Sequence, residues 1–261
     1  MQDSCLPQAK RIRTLDSNGA LFRSLYGRQL TGRRHDKFQL KSLAFDWKLQ
    51  NEYFCGNNTE IVPLLAVKFC RSRASGHLLA VVDEKGFASI IDTRPDVSPP
   101  FLARRAVHDN AAFDVCWNVD STHIATASGD YSVCVLDAVT GTHCRKFVGH
   151  FGSVKVVRYA NQSADLLVSG GRDGSALIWD VRSQSASPVM SLRNIHLPPT
   201  ALKATPRSRK ALTASASVTS AAFWQDDSIL ITGGGTDGEI KMWDCRRQSK
   251  DHEPVQALVA V

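Results

Sequence analysis

No apolar run in these 261 residues approaches the length a helix needs to cross a bilayer, about 20 residues. The first thirty hold Lys10, Arg11, Arg13, Arg23 and Arg28 but no apolar core, so they do not read as a secretory signal. The expectation is an intracellular protein with no membrane contact. Cysteines are odd in number at seven, and Cys5, Cys55, Cys70, Cys116, Cys134, Cys144 and Cys245 form no C-x-x-C pair. That argues against a disulfide framework and against paired zinc ligands. Cys116 and Cys134 lie in apolar, strand-like stretches, where a free thiol behaves as a small hydrophobe. The sequons at Asn57 and Asn161 carry little weight without an export signal.

Catalytic signatures are missing as well. There is no G-x-x-x-x-G-K-[ST] loop, no G-x-S-x-G elbow and no H-E-x-x-H pair. The glycine clusters SGGRDGS (169–175) and TGGGTDGE (232–239) each stand between two strand-like runs, not between strand and helix. Turn chemistry therefore explains them better than a phosphate cradle. A non-enzymatic binding protein without metal or cofactor is expected.

The net charge of +7 suggests nucleic acid until it is located. Residues 1–35 carry seven Lys/Arg against Asp3 and Asp16. Residues 184–217 carry Arg193, Lys203, Arg207, Arg209 and Lys210 with no acid. The remainder is slightly acidic, so the basicity belongs to an N-terminal segment, expected to be disordered, and to a flexible insertion. KATPRSRK (203–210) reads as a nuclear-import patch, a DNA-contacting loop or a solvated loop, and it lacks the interleaved aromatics that stack single strands. Direct nucleic-acid binding is not the favoured reading. Ser187-Pro188 and Thr205-Pro206 are candidate phosphorylation sites or ordinary loop prolines.

Self-comparison exposes a repeat. LLAVVDEKGFASIIDTR (78–94), HIATASGDYSVCVLDAV (123–139), LLVSGGRDGSALIWDVR (166–182) and ILITGGGTDGEIKMWDCR (229–246) each join an apolar strand, a Gly/Asp turn and a second strand ending in Asp. The terminal residues Asp92, Asp137, Asp180 and Asp244 are spaced by 45, 43 and 64. The first two spacings fit one four-stranded unit, and the surplus in the third falls in the basic stretch. Further strands precede each pair at 63–70, 113–118, 154–160 and 218–224, and outer strands are expected at 142–149 and 254–261.

This pattern resembles the WD-repeat β-propeller family. The best unit runs from Gly149-His150 to Trp179-Asp180, and the resemblance implies a buried network of His150, Ser169, Asp173 and Trp179. Departures occur: Leu136 stands in the tryptophan place of the second unit, and the fourth has no clear Gly-His, His196 lying at the insertion. The fold expected is all-β, with about four blades visible over residues 36–261 as an incomplete part of a seven-bladed ring. QLKSLAFDWKLQ (39–50) reads as an outer strand of a further blade.

Two blade endings, IWDVR and MWDCR, place arginine two residues after the aspartate, at Arg182 and Arg246. Strand alternation puts Asp180 beside Arg182 and Asp244 beside Arg246, with Trp179 and Trp243 on the opposite side. The residues alone leave two readings, a surface ion pair without partner or a preorganised docking fork. Trp-Asp-x-Arg in adjacent repeats is similar to the box by which substrate receptors hold the damaged-DNA-binding adaptor of cullin-four ubiquitin ligases. LFRSLYGRQL (21–30), DEKGFASIID (83–92), AVHDNAAFDVCW (106–117), GGRDGSALIWDVR (170–182) and GGGTDGEIKMWDCR (233–246), together with the basic insertion, resemble the denticleless family of such receptors. The resemblance implies a nuclear, non-catalytic specificity subunit docked through Trp179, Asp180, Arg182, Trp243, Asp244 and Arg246. Its substrates would be replication and cell-cycle proteins displayed on a DNA-bound clamp, with Arg172 a candidate substrate contact. The rival is a generic WD scaffold in a chromatin or RNA-associated complex.

Overall fold

The computed structural model describes residues 62–197, 216–246 and 254–259, apart from Arg73, Pro95, Ser98, Pro99 and Gln225. The expected N-terminal segment 1–35, the strand at 39–50, KATPRSRK and Thr205 lie outside the described residues. Among the described residues, sixteen strands form four antiparallel four-stranded sheets, each a meander in chain order. The first blade comprises β1 (Leu64–Phe69), β2 (Leu78–Asp83), β3 (Phe87–Asp92) and β4 (Phe101–Ala106). The second comprises β5 (Ala112–Trp117), β6 (His123–Ser128), β7 (Ser132–Asp137) and β8 (His143–Val148). The third is β9 (Val154–Tyr159), β10 (Leu166–Gly171), β11 (Ala176–Asp180) and β12 (Met190–Leu192). The fourth is β13 (Val218–Phe223), β14 (Ile229–Gly234), β15 (Glu239–Asp244) and β16 (Gln256–Val259).

Strands β1, β5, β9 and β13 touch in succession and line one cavity of about 780 Å³, so they are the inner strands of a propeller. The middle strands of the first three blades are mostly buried, and β7, between the first and third blades, reads as a nearly continuous apolar run; β14 and β15 of the fourth blade are only partly covered. Core therefore sits between blades. Trp179 packs 5.1 Å from Phe147 in the layer between the second and third blades, while Trp243 joins Val156, Val168 and Phe223 in the next. Trp117 plays the equivalent part between the first two blades and donates its indole N–H to the Lys68 carbonyl at 2.9 Å. Cys116 and Cys134 belong to these buried sheets, and burial pushes both thiols up to about 12.

Two strands differ from the expected pattern. FLARRA forms β4, the outer strand of the first blade, although Arg104 and Arg105 gave it no apolar alternation. Part of the stretch read as insertion, Met190–Leu192, is the outer strand of the third blade, paired to Ala176–Ile178. Blades three and four are stapled at one end. Asp227, at φ 62, accepts the amide N–H groups of Asn161 and Gln162 at 2.7 and 2.8 Å, and Asn161 Nδ2 donates to the Phe223 carbonyl at 2.9 Å. The sequon asparagine is thus committed to an interblade contact.

The turn between the second and third strands of each blade contains one residue at positive φ: Gly86, Tyr131, Gly174 and Gly238. At Gly174 a Cβ would also meet the Ala216 carbonyl oxygen at 2.7 Å. Gly174→Ala should cost about 1–2 kcal/mol, whereas Tyr131→Gly should be neutral or stabilising by up to about 1 kcal/mol, since only the tyrosine pays left-handed strain. Chemical denaturation of the two variants checks the opposite signs.

Candidate functional site

Three blades carry the same buried polar chain. In the third, the Asp173 carboxylate accepts from His150 Nδ1–H at 3.1 Å, which leaves His150 Nε2 to accept from the Ser169 hydroxyl at 2.7 Å. The Trp179 indole N–H then donates to the same hydroxyl oxygen at 2.8 Å. The fourth blade repeats the chain as Asp237, His196, Thr232 and Trp243, at 2.7, 2.9 and 2.8 Å. The second has Asp130, His108 and Thr126 at 3.1 and 2.8 Å, and Leu136 ends it without an indole. His150, Ser169, Asp173 and Trp179 are therefore brought together as the sequence suggested, and their work is internal. His196 was missed as the fourth blade's histidine because isoleucine, not glycine, precedes it. The available signal was Gly234, where a Cβ would lie 2.3 Å from the His196 ring.

Burial would raise the Asp173 carboxyl, but the hydrogen bonds from His150 and Ser175 outweigh it and hold it at about 2. Asp130 and Asp237 are lowered by the same balance. Desolvation lowers His108 and His196, only partly opposed by their aspartates. These imidazoles stay neutral and are structural, not proton-transfer groups.

At the opposite end of each blade, the third strand closes on an aspartate. Asp180 accepts the Arg182 backbone N–H at 2.9 Å and the Arg182 guanidinium at 3.1 and 2.9 Å through Nε and Nη2. Asp244 holds Arg246 likewise, at 2.9, 3.1 and 3.5 Å. The pairing arises differently from strand alternation. β11 and β15 end at the aspartates, and each carboxylate caps a turn that folds the arginine back over it. The first blade builds the same fork from Asp92 and Arg94, with Nη2 at 2.6 Å, and the guanidinium holds that carboxyl at about 2. The second lacks an arginine, and Thr140 supplies the hydroxyl to Asp137.

Arg182 and Arg246 are 68% and 73% exposed while their aspartates are mostly covered, so each fork presents a guanidinium already charge-paired on one edge. Arg182 also lies 3.5 Å from Asp165. Trp179 and Trp243 are buried and can only position these turns. The register pairs Leu166 with Asp180 and Gly170 with Ala176, which places exposed Arg172 at the far end of the blade from Arg182. The two sets of predicted contacts thus occupy opposite ends.

Losing the central hydroxyl strands two donors or acceptors where tryptophan is present and one where it is absent. Ser169→Ala should cost about 3 kcal/mol and Thr126→Val about half of that, by equilibrium unfolding. The pH profile follows from the lowered values. Stability carried by His108 and His196 is complete above their ordinary 6.5 and drains as pH falls toward the lower folded values. That carried by Asp173 is complete above 3.8 and is lost as pH falls through about 2. The thermal midpoint should fall in two steps on acidification, the first beginning as pH drops below about 6.5 and the second as it falls through about 2.

The family described as WD domain, G-beta repeat, matches residues 102–137, 141–180 and 207–244. Denticleless protein homolog of Danio rerio is 32% identical over 222 residues, covering 80% of this chain and 34% of that one. Protein lethal(2)denticleless of Drosophila melanogaster is 32% identical over 212 residues, covering 74% and 27%, and the Mus musculus homolog is 31% identical over 201, covering 71% and 27%. The chain spans about a third or less of the length of these relatives. A chain in a crystal structure of the mitotic checkpoint complex shares the fold at a TM-score of 0.59 and 22% identity, over 78% of this chain and 52% of that one. With four four-stranded blades, three His–Asp chains and Trp-Asp closures, this chain is a WD-repeat β-propeller protein that resembles the denticleless family.

Proposed function

We propose that the chain is a non-catalytic substrate-recognition subunit of a cullin-four ubiquitin ligase. It docks the damaged-DNA-binding adaptor through the forks Asp180–Arg182 and Asp244–Arg246. The observation that carries this reading is the pair of exposed guanidiniums on neighbouring blades, each fixed by a capped turn at the same end of the sheet. A guanidinium held in advance loses little freedom when it meets a carbonyl or carboxylate on a partner. The likeness to denticleless proteins supports this reading of the partner class. In this reading the protein acts in the nucleus, directs ubiquitination of replication and cell-cycle proteins presented on a clamp on DNA, and leaves the chemistry to the ligase.

Co-purification from cells tests it. Recovery of the adaptor should fall about tenfold or more for the Arg182→Ala/Arg246→Ala variant, with the unfolding transition unchanged. Undiminished recovery would assign the propeller to the rival role of a general scaffold, in which the forks are dispensable.

A further inference from the structure

The end of the third blade opposite the forks carries three cations, Lys155, Arg172 and Arg193, none of which has a carboxylate partner among the described residues. Elsewhere on the same blade charges are paired: Arg158 with Asp114, Arg182 with Asp180, and Asp173 with His150. The unpaired three are nevertheless held in place. Lys155 Nζ sits 3.2 Å from the centre of the Phe113 ring, and Arg193 stacks 5.0 Å from the centre of Phe151, which is itself 76% exposed. Arg172 is fixed at its backbone, the amide N–H donating to the Ser153 carbonyl at 2.8 Å, while its side chain is exposed. Burial, and then the neighbouring Arg172, lower the Lys155 ammonium from its ordinary value.

Their order across the blade is informative. Lys155 lies on the innermost strand β9, Arg172 in the turn that follows β10, and Arg193 directly after the outermost strand β12. With strands about 4.8 Å apart, four strands span roughly 14 Å from first to last. In an extended peptide, side chains on one face recur every second residue, about 6.7 Å, so three of them span roughly 13 Å. We propose that the row Lys155–Arg172–Arg193 is a docking strip for an extended acidic segment of a partner protein, with Asp or Glu at three alternate positions. The aromatic rings each already hold a cation over one face, which leaves no free pair of platforms for stacked bases. The three residues stand on successive strand positions from β9 to beyond β12, a spacing that suits separate monovalent carboxylates along an extended chain. Phe151 offers an apolar contact beside the strip.

The strip goes beyond the adaptor reading and is tested without the adaptor. Fluorescence anisotropy of the purified chain would be followed with a labelled peptide alternating Glu and Thr. Comparison peptides would carry Gln for Glu, the same glutamates in one block, or a single phosphoserine, with a single-stranded oligonucleotide as the nucleic-acid probe. The alternating peptide should bind, and Arg172→Ala/Arg193→Ala should weaken it about tenfold. Both side chains are exposed and should be replaceable without unfolding. The charge-reversed Arg172→Glu/Arg193→Glu variant should instead prefer an alternating Lys peptide. Equal binding by the alanine variant, tighter binding of the block, the phosphoserine peptide or the oligonucleotide, or no reversal of preference would each overturn the proposal.

Discussion

One buried hydroxyl in each of three blades organises the sheet around it. Ser169 and Thr232 are buried in second strands, and each must serve an imidazole and an indole at once. The only consistent arrangement sends protons one way, from the indole N–H to the hydroxyl oxygen and from the hydroxyl to the imidazole. The imidazole in turn donates from Nδ1 to a carboxylate. That chain ties the third strand, the second strand, the segment entering the blade and the turn between its strands into one unit. Every polar group in it is satisfied, so charge inside the sheet reinforces the blade rather than undermining it. The second blade shows what the chain tolerates: with Leu136 in place of tryptophan, the Thr126 hydroxyl accepts from no indole, and its one proton lies between His108 Nε2 at 2.8 Å and the Cys134 carbonyl at 3.3 Å.

Legibility in the sequence tracks this same physics. Inner and middle strands are written plainly, because burial on both faces forces apolar runs such as VCVLD, and the turns between them require glycine or aspartate. Outer strands have solvent on one side and few constraints. FLARRA and the strand at Met190–Leu192 therefore escaped pattern reading, the second behind Pro188 and several serines. His196 escaped for a local reason: the motif sought was Gly-His, but the requirement is a histidine facing a glycine across the sheet, and Gly234 meets it. The exposed site was legible as composition and spacing, Asp-x-Arg, yet its cause was not. Strand alternation suggested the contact, whereas a carboxylate-capped turn makes it, and the same turn recurs at Asp92 and, with threonine, at Asp137.

The two ends of the molecule follow different rules. At the fork end the arginines are paired with aspartates before any partner arrives, which favours shape and hydrogen-bond geometry over long-range attraction. At the opposite end of the third blade Asp173 is held by His150, and Lys155, Arg172 and Arg193 keep their field, whereas Lys146 and Lys241 share Asp130 and Asp237 with the histidines of the second and fourth blades. A protein can in this way separate a geometric contact from an electrostatic one without adding a domain, because the inward demand for carboxylates falls on one end only.

The staple at Asp227 gives the fork end a further property. Asn161 and Gln162 of the third blade donate to an aspartate of the fourth on the side where both strands finish. The gap between Arg182 and Arg246 is therefore set by covalent turns and a three-bond clamp, not by thermal splaying of the blades. A partner that engages one arginine meets the second as an intramolecular event, at an effective concentration fixed by geometry. The cost of bringing two contacts into register was met when the chain folded.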